Sequence, residues 1–165
     1  MPTKKKSVKK SPAKTTAKRA ARANANHSHG GTYITPKGNV AIAVPPFWFF
    51  RQTNDDLELD SPTTATSIVV SAFQRTGKVT SLDSRDYMQR FLGTTPAVGR
   101  KTVTLSTKPR TIARFKDAEG ANWQCEFLTD GNTLLLATLN STEKSRSPEL
   151  QTGFAVLNSI KIVKK

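Results

Sequence analysis

The side chains able to do chemistry are few and badly spaced for it. The chain has 165 residues, with two histidines (His27, His29) and one cysteine, Cys125. The spacing in His27-Ser28-His29 lets two imidazoles reach one transition metal, but structural zinc takes four ligands and no cysteine lies nearby, so no metal is expected. Both histidines belong to a stretch without apolar texture. The rest of the chain has no imidazole with which to build a Ser/His/Asp or Cys/His arrangement. A single cysteine forms no intramolecular disulfide and suits a reducing compartment. Cys125 is expected to pack in a sheet rather than act as a nucleophile. Asp55, Asp56, Glu58 and Asp60 are the densest acids. Their alternation with Leu57 and Leu59 predicts the solvated face of a strand, not a general-acid or metal pair. Gly77-Lys78-Val79-Thr80 lacks the preceding glycine of a phosphate-binding loop, and neither a dinucleotide glycine pattern nor a nucleophile elbow occurs. The expectation is a non-enzymatic protein with no cofactor.

The chemistry that does stand out is cationic. From Met1 to Gly31 there are nine basic residues (Lys4, Lys5, Lys6, Lys9, Lys10, Lys14, Lys18, Arg19, Arg22) and no acid. The whole chain carries +14, from 26 basic and 12 acidic residues, so the remainder holds 17 basic against 12 acidic. Residues 1–31 have only Met1 and Val8 as sizeable apolar groups, too little to offset the entropy of ordering, so a disordered arm is predicted there. Flexible lysines neutralise phosphates and release counterions without a fixed structure. DNA or RNA, bound without sequence preference, is the expected partner of the arm. Opposite charge would also draw the arm to the acids of 55–60 when nucleic acid is absent. A targeting or solubilising tail is the competing reading. A secretory signal is not expected, because these residues lack an apolar run of about 7–15 residues. A transit peptide fits poorly, because lysines cluster and no apolar face exists.

Phe47-Trp48-Phe49-Phe50 is the densest aromatic cluster. Four consecutive aromatics on a strand cannot all face inward, so Phe47, Trp48 and Phe49 are the candidate surface for stacking unpaired bases or for meeting a partner. Core packing beside the proline break competes with that role. Arg75, Lys78, Arg100, Lys101, Lys108, Arg110, Arg114 and Lys116 add scattered charge; Lys108, Arg110, Arg114 and Lys116 would extend the phosphate footprint if they share a face.

Residues 32–165 are expected to form a single domain that positions these groups. Val40 to Val44 reads as a strand cut short by Pro45-Pro46. Asp55 to Asp60 and Ser67 to Phe73 read as further strands, the second near the sheet centre. Tyr87, Met88, Phe91 and Leu92 form a helical stripe over about 82–92, with Ser81 or Asp83 as cap and Gly93 as stop. Strands follow at Thr102 to Ser106, Thr111 to Lys116 and Asn122 to Leu128, where Trp123, Cys125 and Phe127 share a face. Asp130-Gly131 turns the chain into Thr133 to Leu139. Ser147-Pro148-Glu149 opens a second helix over about 148–158, with Leu150, Phe154 and Leu157 inward. Ile160 to Val163 closes the sheet. The pattern predicts an α+β fold, two helices packed on an antiparallel sheet. A jelly roll would need both helical stretches to be strand or loop.

This order of elements resembles the PsbP-like superfold. The features that carry the resemblance are the strand into proline and aromatic (Val40 to Trp48), the acidic and Ile/Val strands ending at Phe73, the helix near Tyr87 to Leu92, the Trp123 to Leu139 hairpin and the ending Asn158-Ser159-Ile160. It covers about residues 38 to 163. That superfold includes a photosystem extrinsic protein and a Ran-binding nuclear import factor family, and no residue specific to either has a counterpart here. The resemblance implies the fold, since the superfold hosts unrelated functions. The arm is outside the pattern; Lys9-Lys10-Ser11-Pro12-Ala13-Lys14 resembles linker-histone tails. The combined expectation is a soluble intracellular protein of the cytoplasm or nucleoid, or of the nucleus. Its arm contacts nucleic acid and its domain docks an unknown protein, with no membrane partner, since no stretch approaches a spanning length. The alternative is a self-assembling subunit of a small capsid or nucleoid, in which the arm neutralises packaged nucleic acid.

Overall fold

The computed structural model describes residues 26–35, 40–53, 56–74, 77, 81–94 and 110–163. Their elements are β1 (Asn26–Ile34), β2 (Val40–Gln52), β3 (Asp56–Asp60), β4 (Thr66–Gln74), α1 (Ser81–Thr94), β5 (Arg110–Lys116), β6 (Asn122–Asp130), β7 (Thr133–Ser141), α2 (Pro148–Ser159) and β8 (Lys161–Ile162). All strand pairs are antiparallel. The sheet runs β1-β2-β3-β4-β7-β6-β5, with β8 added to the start of β2. The fold is α+β, and both helices fall where the apolar spacing puts them.

Alternation along β7 sends side chains to both faces of the sheet and gives each face its own helix. Leu135, Ala137 and Leu139 join Ile42, Leu59, Ile68, Leu150 and Leu157 in a core under α2. Leu134 and Leu136 point the other way, to the Met88, Phe115, Cys125 and Phe127 cluster under α1. The strand with the β-branched run, β4, lies between β3 and β7 at the middle of the order. Trp123, Cys125 and Phe127 share the α1 face, where Phe127 meets the Phe91 ring edge-on at 6.3 Å and Trp123 stacks on Phe115 at 5.8 Å.

Helix α2 begins as its sequence dictates. Ser147, in extended geometry, accepts from the Leu150 N–H at 3.2 Å, and Pro148 fills the first helical position, where no N–H is needed. Glu149 in the first turn accepts from the hydroxyls of Ser61 and Thr63, which fastens the helix start to the β3–β4 turn. Asp117 tightens the β5–β6 turn by accepting from Trp123 Nε1 at 3.0 Å and from the Glu119 and Ala121 N–H groups. The Trp123 bond is the main reason its carboxyl sits below the ordinary value, with burial opposing and the backbone donors assisting.

Three expectations need correction. The first strand does not stop at Pro45-Pro46; β2 runs through both to Gln52. On one edge of β2, β8 pairs at Val40 and Ala41 and β3 at residues 49–52, so among the described residues no strand faces the stretch between them. Part of that gap is filled by Ser159 Oγ, which accepts from the Ala43 N–H at 2.9 Å. On the other edge the β1 register shifts beside Pro46. Prolines are tolerated where a ladder bond is not required, and that depends on which strands flank them. Second, the boundary of the arm at residue 31 is too late: β1 begins at Asn26, so residues 26–31 belong to the sheet. Third, α1 passes Gly93 and ends at Thr94, whose hydroxyl donates to the Arg90 carbonyl at 3.0 Å. The expected strand at Thr102 to Ser106 and the turn at Lys108-Pro109 lie outside the described residues, as do all nine cations of the arm.

Candidate nucleic-acid interface

The aromatic cluster is divided by a β-bulge. In the β1–β2 ladder His27 pairs with Phe49 and His29 with Pro46, so Ser28 faces two residues of β2, Phe47 and Trp48. A bulge of this kind re-aims side chains and is frequent beside functional sites. Its effect is to bury Trp48 at 3% exposure in the α2-side core while leaving Phe47 71% exposed. Trp48 is therefore not part of any stacking surface, contrary to the sequence expectation. Phe49 and Phe50 are half-buried, and the Phe50 ring packs against Tyr33 at 5.5 Å between centroids. Phe47 has φ of 65°. For a bulky residue that backbone costs about 1–3 kcal/mol, which an exposed ring does not recover by burial.

The same ladder places the root of the arm. Asn26 lies opposite Phe50 and His27 opposite Phe49. The last cation of the arm, Arg22, precedes Asn26 by four residues in the sequence. No acid occurs between Met1 and Ile34. On its other side β2 pairs with the acidic β3, which sets Asp60 opposite Phe49 and Glu58 opposite Arg51. Asp60 accepts from the Ser67 hydroxyl, and Glu58 is ion-paired with Arg51. Asp56, Glu58 and Asp60 are partly exposed and alternate with the buried Leu57 and Leu59, as read from the sequence; Asp55 lies outside the described residues.

The expected basic face on β5 divides in use. Arg110, Arg114 and Lys116 do alternate onto one side, and Lys108 lies outside the described residues, together with Arg75, Lys78, Arg100 and Lys101. Arg110, however, is turned inward. Its guanidinium donates to the fully buried Glu126 at 2.8 Å and to the carbonyls of Leu157, Asn158 and Ile160 at 2.9, 3.1 and 2.6 Å. It closes the negative end of α2 instead of meeting phosphate. Arg114 donates from Nε to Gln124 Oε1 at 2.5 Å and lies 5.5 Å from the centroid of the Phe154 ring, yet it stays exposed. Lys116 is exposed.

Among the described residues no three His, Cys, Asp or Glu side chains are grouped to hold a metal. His29 is exposed on β1. Cys125 is fully buried, and its thiol is pushed up to about 12 by burial and by the adjacent Glu126 charge, so it carries no thiolate at neutral pH. None of the described helices is long and apolar enough to cross a membrane.

A second feature was not anticipated from the sequence. A groove of about 440 Å³ opens beside α1, lined by Phe73, Tyr87, Phe91, Phe127, Leu134 and Leu136 with Arg90 and Thr94. Phe73, read as the end of a central strand, is 47% exposed there. The helix covers β5 and β6 but not β4, and that placement is a tertiary fact that strand periodicity does not contain.

No protein-family model matches the chain, and no curated protein matches it. Among solved structures, a protein from Bacteroides thetaiotaomicron, known from a crystal structure at 1.50 Å, aligns with a TM-score of 0.57 and 14% identity, over 84% of this chain and 50% of its own. The chain thus spans half the length of that protein. A likeness at this identity concerns the fold alone.

Proposed function

We propose that this is a non-enzymatic binding protein whose basic arm holds DNA or RNA through phosphate contacts and whose α+β domain docks a partner. The observation that carries this reading is the separation of charge: nine cations and no acid in residues 1–31, against 17 basic and 12 acidic residues in the remainder. A solvated face spreads its charge among both signs, whereas a run of one sign without apolar residues suits a polyanion. The domain supports the docking half with an apolar groove beside α1 and an exposed Phe73. Of the cations on β5, Arg110 is committed to internal partners, while Arg114 and Lys116 stay exposed.

The experiment is a comparison of full-length chains. Replacing Lys4, Lys5, Lys6, Lys9, Lys10, Lys14, Lys18, Arg19 and Arg22 by glutamine is expected to lower affinity for duplex DNA at low salt at least tenfold, as the phosphate contacts are lost. The thermal transition of the domain should not change. Equal affinity of the two chains would remove the proposal.

A further inference from the structure

We infer that Phe47 is a base-stacking platform at the root of the arm, so that the nucleic acid this protein prefers is unpaired. The inference rests on the arm reading above and adds to it the strand state of the ligand. A strained bulge and the start of β1 meet near this residue. The bulge turns Phe47 out and Trp48 in. The Phe47 backbone is held at φ of 65°, a conformation glycine adopts without strain and phenylalanine does not. Finally, the β1–β2 register sets Phe47 opposite Ser28, two residues inside the start of β1 at Asn26.

A lone exposed phenylalanine is ordinary on a protein surface. One that is exposed, strained and near the start of β1, the strand that follows nine cations in the sequence, is not explained by packing. An unpaired strand offers two things at once, phosphates for the arm and π-faces for the ring, and base–aromatic stacking tolerates any sequence. A duplex offers only phosphates, because its bases are stacked on each other. The path of a bound strand runs over the β1 side of Phe47, where no acid occurs between Met1 and Ile34 and His29 is exposed. On the other side, Asp60 of β3 lies opposite Phe49 and disfavours phosphate.

The test uses full-length chains and two probes, oligo(dT) and a DNA duplex of equal phosphate count, at matched salt. Wild type is expected to bind the unpaired probe more tightly. Phe47→Gly should lower oligo(dT) affinity about tenfold, the size of one lost base–aromatic stack, and leave duplex affinity unchanged. Its melting temperature should be equal or higher, because glycine relieves the positive φ; a merely structural Phe47 would give a lower one. Phe47→Tyr keeps the ring and should keep the preference. If Phe47→Gly binds both probes as wild type does, the stacking role is overturned while the arm reading stands. If wild type binds neither probe at low salt, the arm reading fails first. Loss of duplex and oligo(dT) binding together in Phe47→Gly would also overturn the inference, since stacking does not act on a duplex.

Discussion

Arg110→Met is expected to remove about 3–5 kcal/mol of folding stability, the cost of leaving a buried charge without its partner. The residue was read from sequence as a surface cation, yet it joins three parts of the molecule. Its guanidinium meets Glu126, which is fully buried on β6, and the three carbonyls that end α2. Those carbonyls lead directly into β8, which pairs with the start of β2. Methionine fills a similar volume but gives Glu126 no donor in place of the guanidinium. Gln124 Nε2 still donates to Glu126 at 2.5 Å, which offsets part of the loss. Combining Arg110→Met with Glu126→Leu should restore part of the stability, because no unpaired charge remains, although the Gln124 amide then loses its acceptor. Urea denaturation of the full-length variants measures this. A loss below about 1 kcal/mol in the single variant would mean that Glu126 reaches water or another cation in solution.

The second large effect concerns the seat of α2. Leu139 is fully buried on β7, and a Cβ built on Gly153 would fall 2.7 Å from its Cδ1 and 3.0 Å from Thr66 Cγ2. Leu139→Ala should cost about 2–5 kcal/mol through lost transfer energy and the remaining cavity. Gly153→Ala should destabilise as well, by about 1–3 kcal/mol of overpacking, despite the better helix propensity of alanine. The two together should be less harmful than their sum, because the new methyl enters the space left by the leucine side chain. Additive losses in a denaturation cycle would contradict the contact. Both residues belong to the α2-side core, so the cycle reads the helix-to-sheet packing that fixes the end of the chain.

Much of this fold was legible because local patterns and tertiary needs agree. Leu57 and Leu59 alternate with acids and are buried; Tyr87, Met88, Phe91 and Leu92 form a stripe and pack on β5 and β6; Ser147-Pro148 starts a helix. The misreadings fall where a residue's role depends on a distant strand. Pro45 and Pro46 fit in β2 because β8 and β3 leave a gap beside them. β1 has no apolar alternation, and its pairing with β2 supplies what its own sequence lacks. One bulge takes Trp48 from its expected surface into the core, while Phe47 stays exposed. Arg110 is drawn inside by a helix end 47 to 50 residues further along the chain. Of the candidate site, the charge of the arm is written in the sequence, while the choice of Phe47 as the exposed ring required the register.

The most direct test of the division between cationic arm and folded domain is the salt dependence of nucleic-acid binding by the full-length chain. With nine cations engaged, the logarithm of the association constant for duplex DNA should fall against the logarithm of salt concentration with a slope near about −8, and fewer contacts give a proportionally shallower line. A slope between about −5 and −8 is the expected result. A slope near zero, with binding that survives high salt, would contradict it and assign recognition to the domain.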